Sequence, residues 1–174
     1  LRASLVVDAS ASMAYRSGAL SKLEVATSLA GALSYLLVRQ QDAAGLTVLS
    51  GGGVREIPPR ASAGHLNTLL EALEAVEPRG EVDLAKAADH VAEKVRGRAL
   101  VCVFSDLFED GPEGLKRFLS LRQRRNDVVV FHVLDPAELT FPFEDPTLFL
   151  SMEREQRIEV NPREIRESYL EEFN

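Results

Sequence analysis

The sequence predicts an α/β fold, with a mostly parallel sheet covered by helices on both faces. Apolar runs of strand length at residues 3–7, 45–50, 99–104 and 128–134 alternate with longer segments of helical period. Such alternation builds βαβ units and therefore a parallel sheet. The runs at 99–104 and 128–134 are apolar throughout rather than at every second residue, the pattern of strands covered on both sides.

Each element follows from its own pattern. A helix over about 22–41 sets Leu23, Ala26, Ala30, Leu33 and Leu37 on one stripe. Gly51, Gly52 and Gly53 then turn the 45–50 strand into a short antiparallel edge strand at 54–57, closed by Pro58 and Pro59. No Gly-Lys-Ser/Thr follows these glycines, so they form a turn and not a phosphate loop. Leu66, Leu69, Leu70 and Leu73 mark a second helix. Leu84, Ala87, Ala88, Val91 and Val95 mark a third, capped by Asp83. A fourth spans about 112–125, with Asp110 as cap, Glu113 three residues on, and Leu115, Phe118 and Leu119 inward. Beyond Asp135-Pro136 comes a loop holding Phe141, Pro142, Phe143 and Pro146, then strand-like pieces around 148–152 and 157–160. A last helix opens at Asn161-Pro162 and presents Ile165, Tyr169, Leu170 and Phe173. The expected organisation is one domain over 1–174, with 136–174 a C-terminal tail packed on it.

Composition narrows the function classes. The chain has 174 residues, 45% hydrophobic and 27% charged, enough for one real core. A formal charge of −7 argues against nucleic acid or an anionic membrane as the main partner. The single cysteine, Cys102, leaves no intrachain disulfide and no thiolate cluster for zinc, which fits a reducing, cytoplasmic setting. No stretch approaches the roughly 18 to 20 apolar residues that span a bilayer, so no membrane contact by this segment is expected. The chain opens at Leu1 and enters a strand almost at once, and we expect a fragment whose preceding part holds another domain or an anchor.

The chemistry concentrates at Asp8-x-Ser10-x-Ser12. Three short oxygen-bearing side chains at alternate positions, where a buried strand gives way to a loop, can face one point. Carboxylate and hydroxyl oxygens suit Mg²⁺ or Mn²⁺. The same residue types also make turns and helix caps, so the motif needs a second half. Phe104-Ser105-Asp106-Leu107 supplies one, because it too is a buried run ending in an acid. Ligands of open α/β sheets bind beyond the C-terminal strand ends, at the switch point of strand order. If the two strands are neighbours there, Asp8 and Asp106 meet above the sheet, and paired carboxylates repel unless a proton or cation lies between them.

These motifs carry a resemblance. Asp8-x-Ser10-x-Ser12, Gly80-Glu81-Val82-Asp83-Leu84 and Ser105-Asp106 look like the three loops of the metal-ion-dependent adhesion site of von Willebrand factor A-like domains. More narrowly, residues 8–13, Ser21-Lys22-Leu23-Glu24, residues 41–46, Ser105-Asp106-Leu107 and residues 132–139 with Pro142-Phe143 resemble a bacterial family of MoxR-associated A-like proteins of unknown function. The resemblance implies a Rossmann-like sheet with Mg²⁺ held at its top. It also implies that the two serines and a middle-loop threonine bind the ion directly, that the aspartates bind it directly or through water, and that a partner's acid completes the shell. A MoxR-type AAA+ ATPase, or its client, is the partner class implied. One position departs: Val82 stands where threonine is usual and offers no oxygen, so affinity for Mg²⁺ or Mn²⁺ should be weak or the site empty. Asp83 reads as a helix cap and Glu81 as surface.

The leading expectation is a non-enzymatic protein-interaction module with a metal site at Asp8, Ser10, Ser12 and Asp106. The enzymatic rival is a Mg²⁺-dependent phosphohydrolase with Asp8 as nucleophile, which lacks an acid at position 10 and a clear phosphate-binding lysine. A third reading is a scaffold whose degenerate site binds no metal. His65, His90 and His132 have no partner at ligand spacing and read as structural or surface residues. No Gly-x-Ser-x-Gly elbow accompanies the serines. The basic run 122–125 reads as a solvated helix end.

Overall fold

The structure, a computed structural model, describes residues 1–174 except 96, 109, 110, 154 and 174, with side chains undescribed at 111, 112, 172 and 173. The elements are β1 (Arg2–Asp8), α1 (Lys22–Arg39), β2 (Ala43–Ser50), β3 (Gly53–Arg60), α2 (Ala63–Glu74), α3 (Leu84–Lys94), β4 (Leu100–Ser105), α4 (Gly111–Ser120), β5 (Asp127–His132), α5 (Pro136–Thr140), β6 (Thr147–Leu150), β7 (Arg157–Val160) and α6 (Pro162–Phe173), with 3₁₀ turns at Ala11–Ala14 and Leu121–Arg124.

The main sheet has the order β3-β2-β1-β4-β5. β1 lies parallel to both β2 and β4, β5 is parallel to β4, and β3 runs antiparallel along β2. The chain builds outward from β1 on one side and returns on the other, so the switch point falls between β1 and β4. Pairing puts Val7 opposite Phe104, and this register brings the loops after Asp8 and after Ser105 together at the same end of the sheet.

The pleat of β1 divides the core. Leu5 and Val7 face the layer of α1 and α2, where Leu23, Ala26, Ala30, Leu37, Leu69 and Leu73 are buried. Val6 faces the opposite layer with Val101 and Val103, against Leu84, Ala87, Val91, Phe118 and Leu121. Successive strand residues point to opposite faces, so a central strand needs apolar residues at every position. Each fully buried Leu or Val contributes about 1.5–3 kcal/mol of transfer free energy.

Four sequence expectations are corrected. The 128–134 run is not fully covered on both sides: Val128 and Val130 pack into one core layer and Phe131 into the other, but β5 is an edge strand and Val129 is 42% exposed. β3 does not stop at Pro58 but continues to Arg60, because it is an edge strand and its pairing with β2 shifts register between Ala44 and Leu46, opposite the two prolines. α1 ends at Arg39, before Gln41, whose φ of 60° breaks the helix. Leu119 is 38% exposed, and Leu121 takes the inward position at the start of the 3₁₀ turn. The expected cap Asp110 and the side chain of Phe173 lie outside the described residues.

β6 and β7 form a separate two-stranded antiparallel sheet. It meets the body through rings: Phe141 lies 5.9 Å from Phe149 and 4.5 Å from Tyr169, centroid to centroid. The Tyr169 hydroxyl donates to the Glu138 carbonyl at 3.0 Å, which ties α6 to α5. α5 itself starts with a capping box of Asp135 and Glu138 and a proline in its first turn. Among the described residues, no helix is long and apolar enough to cross a membrane.

Candidate functional site

Three loops meet over the tips of β1 and β4. The loop after β1 is pinned on both flanks: Ala9 N donates to Leu49 O at 2.7 Å, Arg79 N to Ala9 O at 2.8 Å, and Ala11 N to Gly80 O at 2.8 Å. The close approach of Gly51 to Gly80 makes this stitching feasible, since a Cβ on Gly51 would lie 2.7 Å from the Gly80 Cα. Met13, fully buried, anchors the 3₁₀ turn that follows. Asp8, Ser10 and Ser12 are thereby held buried on a loop with little freedom to rearrange.

Among the described residues, Asp8 receives only neutral donors. Ser10 N donates to Oδ1 at 2.9 Å and the Ser105 hydroxyl to Oδ2 at 2.6 Å. Burial pushes the Asp8 pKa up, these hydrogen bonds pull it back, the nearby Asp106 charge pushes it up again, and the net direction is upward. The Ser10 and Ser12 hydroxyls stand 3.1 Å apart.

Asp106 is placed differently. Its Oδ2 accepts from Lys22 Nζ at 2.7 Å and its Oδ1 from Phe108 N at 3.2 Å, while His132 Nε2 lies 3.0 Å from its carbonyl oxygen. Lys22 also reaches Glu138 Oε1 at 2.6 Å, and its side chain is 2% exposed. Burial works against the ammonium, but Asp106 and Glu138 outweigh it, and the Lys22 pKa is raised. Behind it, Ser17 donates to the Asp135 carboxylate through both its amide and its hydroxyl. Burial raises the Asp135 pKa, yet these bonds prevail and the net shift is downward.

The middle loop contributes an apolar wall. Val82 is buried and lines the cup, while Asp83 turns away to cap α3, accepting from Lys86 N at 2.8 Å. Glu81 is exposed. From the tail comes a residue the sequence reading did not anticipate: Glu153 Oε1 accepts from Ser12 N at 3.2 Å, and its Oε2 is buried with no hydrogen-bond partner among the described residues. Asp8, Ser10, Ser12, Val82, Asp106 and Glu153 all border one cavity of about 10 Å³, room for about one water-sized sphere.

The four residues expected from sequence are thus brought together, and the donor set fits a small hard cation. Among the described residues, no three His, Cys, Asp or Glu side chains form a metal cluster by themselves, so the serine hydroxyls are indispensable to any such site. Three carboxylates, Asp8, Asp106 and Glu153, border the cavity; Lys22 pairs with Asp106 from outside it, and one Glu153 oxygen has no hydrogen-bond partner among the described residues. A divalent ion would offset that excess of negative charge, and Ser10, Ser12 and Asp8 would hold it, with Asp106 behind. Its chemistry would be to bind an anionic oxygen.

Lys22, Ser105, Glu138 and Glu153 escaped the sequence reading as site residues. Lys22 did leave a signal, because it sits four and eight residues before the buried Ala26 and Ala30, and a lysine on an apolar stripe needs a buried partner. Glu153 left none. The histidines play structural parts: His65 Nε2 lies 2.9 Å from Ala44 O and His90 Nε2 3.2 Å from Glu56. Cys102 is buried, with its thiol pushed up to about 11, so it is no nucleophile.

An open sheet of this order, with helices on both faces and an oxygen-lined cup at its switch point, defines a von Willebrand factor A-like fold. The chain belongs to the family described as protein of unknown function DUF58, whose pattern matches residues 1–174. It is 29% identical over 142 residues to the uncharacterized protein Rv1480 of Mycobacterium tuberculosis and, at the same identity, to Mb1516 of Mycobacterium bovis. Those matches cover 79% of this chain but only 44% of each relative, so the chain spans less than half the length of the curated relatives it matches. Two solved structures share the fold. An aerotolerance-related membrane protein of Bacteroides fragilis aligns with TM-score 0.66 and 18% identity over 99% of this chain and 87% of its own. BatB of Bacteroides thetaiotaomicron aligns with TM-score 0.63 and 14% identity over 99% and 86%.

Proposed function

We propose that the chain is a non-enzymatic protein-interaction module that recognises an acidic group of its partner through a divalent cation, Mg²⁺ or Mn²⁺, at Asp8, Ser10, Ser12 and Asp106. The observation that supports this reading is the shared cavity: the four residues border one ion-sized space lined by the carboxylates of Asp8, Asp106 and Glu153, of which Asp106 is paired with Lys22. The partner class, a MoxR-type AAA+ ATPase or its client in complex assembly or maturation, rests on the resemblance of the sequence motifs. The test is calorimetric titration of Mg²⁺ and Mn²⁺ into the wild type and Asp8→Ala, followed by capture of a purified MoxR-type ATPase with and without chelator. Binding that Asp8→Ala abolishes, and capture that chelator abolishes, support the proposal. A wild type that takes up no cation refutes it.

A metal-free scaffold is the second reading, favoured by Val82 at a ligand position and by the buried Lys22 that already neutralises Asp106. A phosphohydrolase gains less support. A lysine is present after all, but it is committed to Asp106 and Glu138, and the cavity has no room for a phosphoryl group.

A further inference from the structure

We propose that Glu153 is the resident acid of this site: its carboxylate fills, from within the chain, the place a partner's acidic side chain takes, and the β6–β7 hairpin must withdraw before that partner binds. The inference rests on the cation reading above and deepens it.

Glu153 meets Ser12 across 141 residues of sequence, through a single hydrogen bond to Oε1. Its Oε2 is buried without a hydrogen-bond partner among the described residues, and a carboxylate oxygen taken out of water with nothing to bond is costly. The cost is compounded here because Asp8 and Asp106 border the same cavity and like charges oppose one another. The hairpin does not need Glu153 in order to close, since Ser151 N donates to Gln156 O at 3.0 Å. A cation in the cavity relieves the repulsion and gives the orphaned oxygen its partner. Glu153, already bonded to Ser12 N, then becomes a stronger tether in the loaded state.

The remainder of the hairpin's attachment is loose. Its two strands pair only with each other among the described residues, and a lone two-stranded hairpin is marginal in water. Phe149 holds it, 5.9 Å from Phe141 and 5.2 Å from Phe143 between centroids. A cavity of about 520 Å³ separates hairpin from body, with Tyr15 and Phe108 on one side and Leu150, Met152 and Ile158 on the other. Those three aliphatic side chains are also about half exposed, at 60%, 47% and 59%. A partner that supplies an acid to the cation therefore competes with one tethered carboxylate and a thin aromatic contact.

The experiment titrates Mn²⁺ into the wild-type chain, Glu153→Gln and Glu153→Ala, and times tryptic cleavage after Arg157 with and without the ion. Both variants should bind Mn²⁺ on the order of tenfold more weakly, and Mn²⁺ should slow cleavage at Arg157 in the wild type but not in the variants. Without Mn²⁺ the variants should melt no lower than the wild type, because they remove a carboxylate from beside Asp8 and Asp106. If the wild type binds Mn²⁺ while both variants bind it equally tightly and cleavage ignores the ion, the internal-acid inference is overturned and the cation site stands. Variants that melt well below the wild type without Mn²⁺ would make Glu153 a structural strut and also overturn it. A wild type that binds no Mn²⁺ removes both readings.

Discussion

Asp8 and Asp106 end neighbouring strands in the same way, each a buried apolar run giving out into an acid, yet the fold treats them as opposites. Asp106 carries its own counterion, the buried Lys22, at 2.7 Å. Asp8 has hydroxyl and amide donors alone, and its pKa is raised by burial. Neutral donors soften the cost of burying a carboxylate but do not cancel its charge. The contrast teaches that Asp106 is charge-paired within the chain, whereas Asp8 is bonded by neutral donors among the described residues, which is the side on which the proposed cation would act.

Substitution can break the comparison. Lys22→Met should have the largest effect, because it strands Asp106 and Glu138 without their shared ammonium. Removing one partner of a buried pair costs about 3–5 kcal/mol, readable as a lower urea midpoint at unchanged slope. Asp8→Asn, measured the same way in chelator, should cost far less or even stabilise, since it removes a charge that has no counterion. Equal losses would mean that the two acids are not distinct.

Next in size is the effect of a supplied oxygen. Val82→Thr should tighten Mn²⁺ binding on the order of tenfold, about 1.4 kcal/mol, as the hydroxyl replaces a methyl on the cavity wall. Unchanged affinity would place the middle loop outside the ligand shell.

The smallest effects lie in the pH dependence of stability in chelator. The raised pKa of Asp8 adds stability that is full below its unfolded value and is lost as pH climbs through the folded value. Asp135, lowered, behaves in the reverse sense: its contribution is present above the unfolded value and disappears as pH falls through the folded one. Asp8→Asn should therefore flatten the decline on the rising side of the acid range, and Asp135→Asn the decline toward strong acid. Thermal melts at closely spaced pH values separate the two.

Much of this was legible in the sequence because it is local. Strand and helix periods are written within ten or twenty residues, and so is the Asp8, Ser10, Ser12 grouping. Asp106 required only the rule that open sheets bind at their switch point, and β1 pairing with β4 satisfies it. What stayed hidden is long-range. Lys22 reaches Asp106 across 84 residues and Glu153 reaches Ser12 across 141, and no local pattern encodes such meetings. The β5 run misled for a related reason: Val128, Val129 and Val130 read alike whether the next strand exists or not, and among the described residues it does not. Helix faces carry more information. A lysine in register with Ala26 and Ala30 is a misfit that signals the need for a buried partner without saying which residue it is.

The most direct test is the anomalous difference map of a crystal of this chain grown or soaked in Mn²⁺. We expect one strong peak within direct ligand distance of the Ser10 and Ser12 hydroxyls, beside Asp8, with Asp106 still paired to Lys22. A peak elsewhere, or an empty cup at saturating Mn²⁺, would contradict the claim that this oxygen-lined space is a cation site.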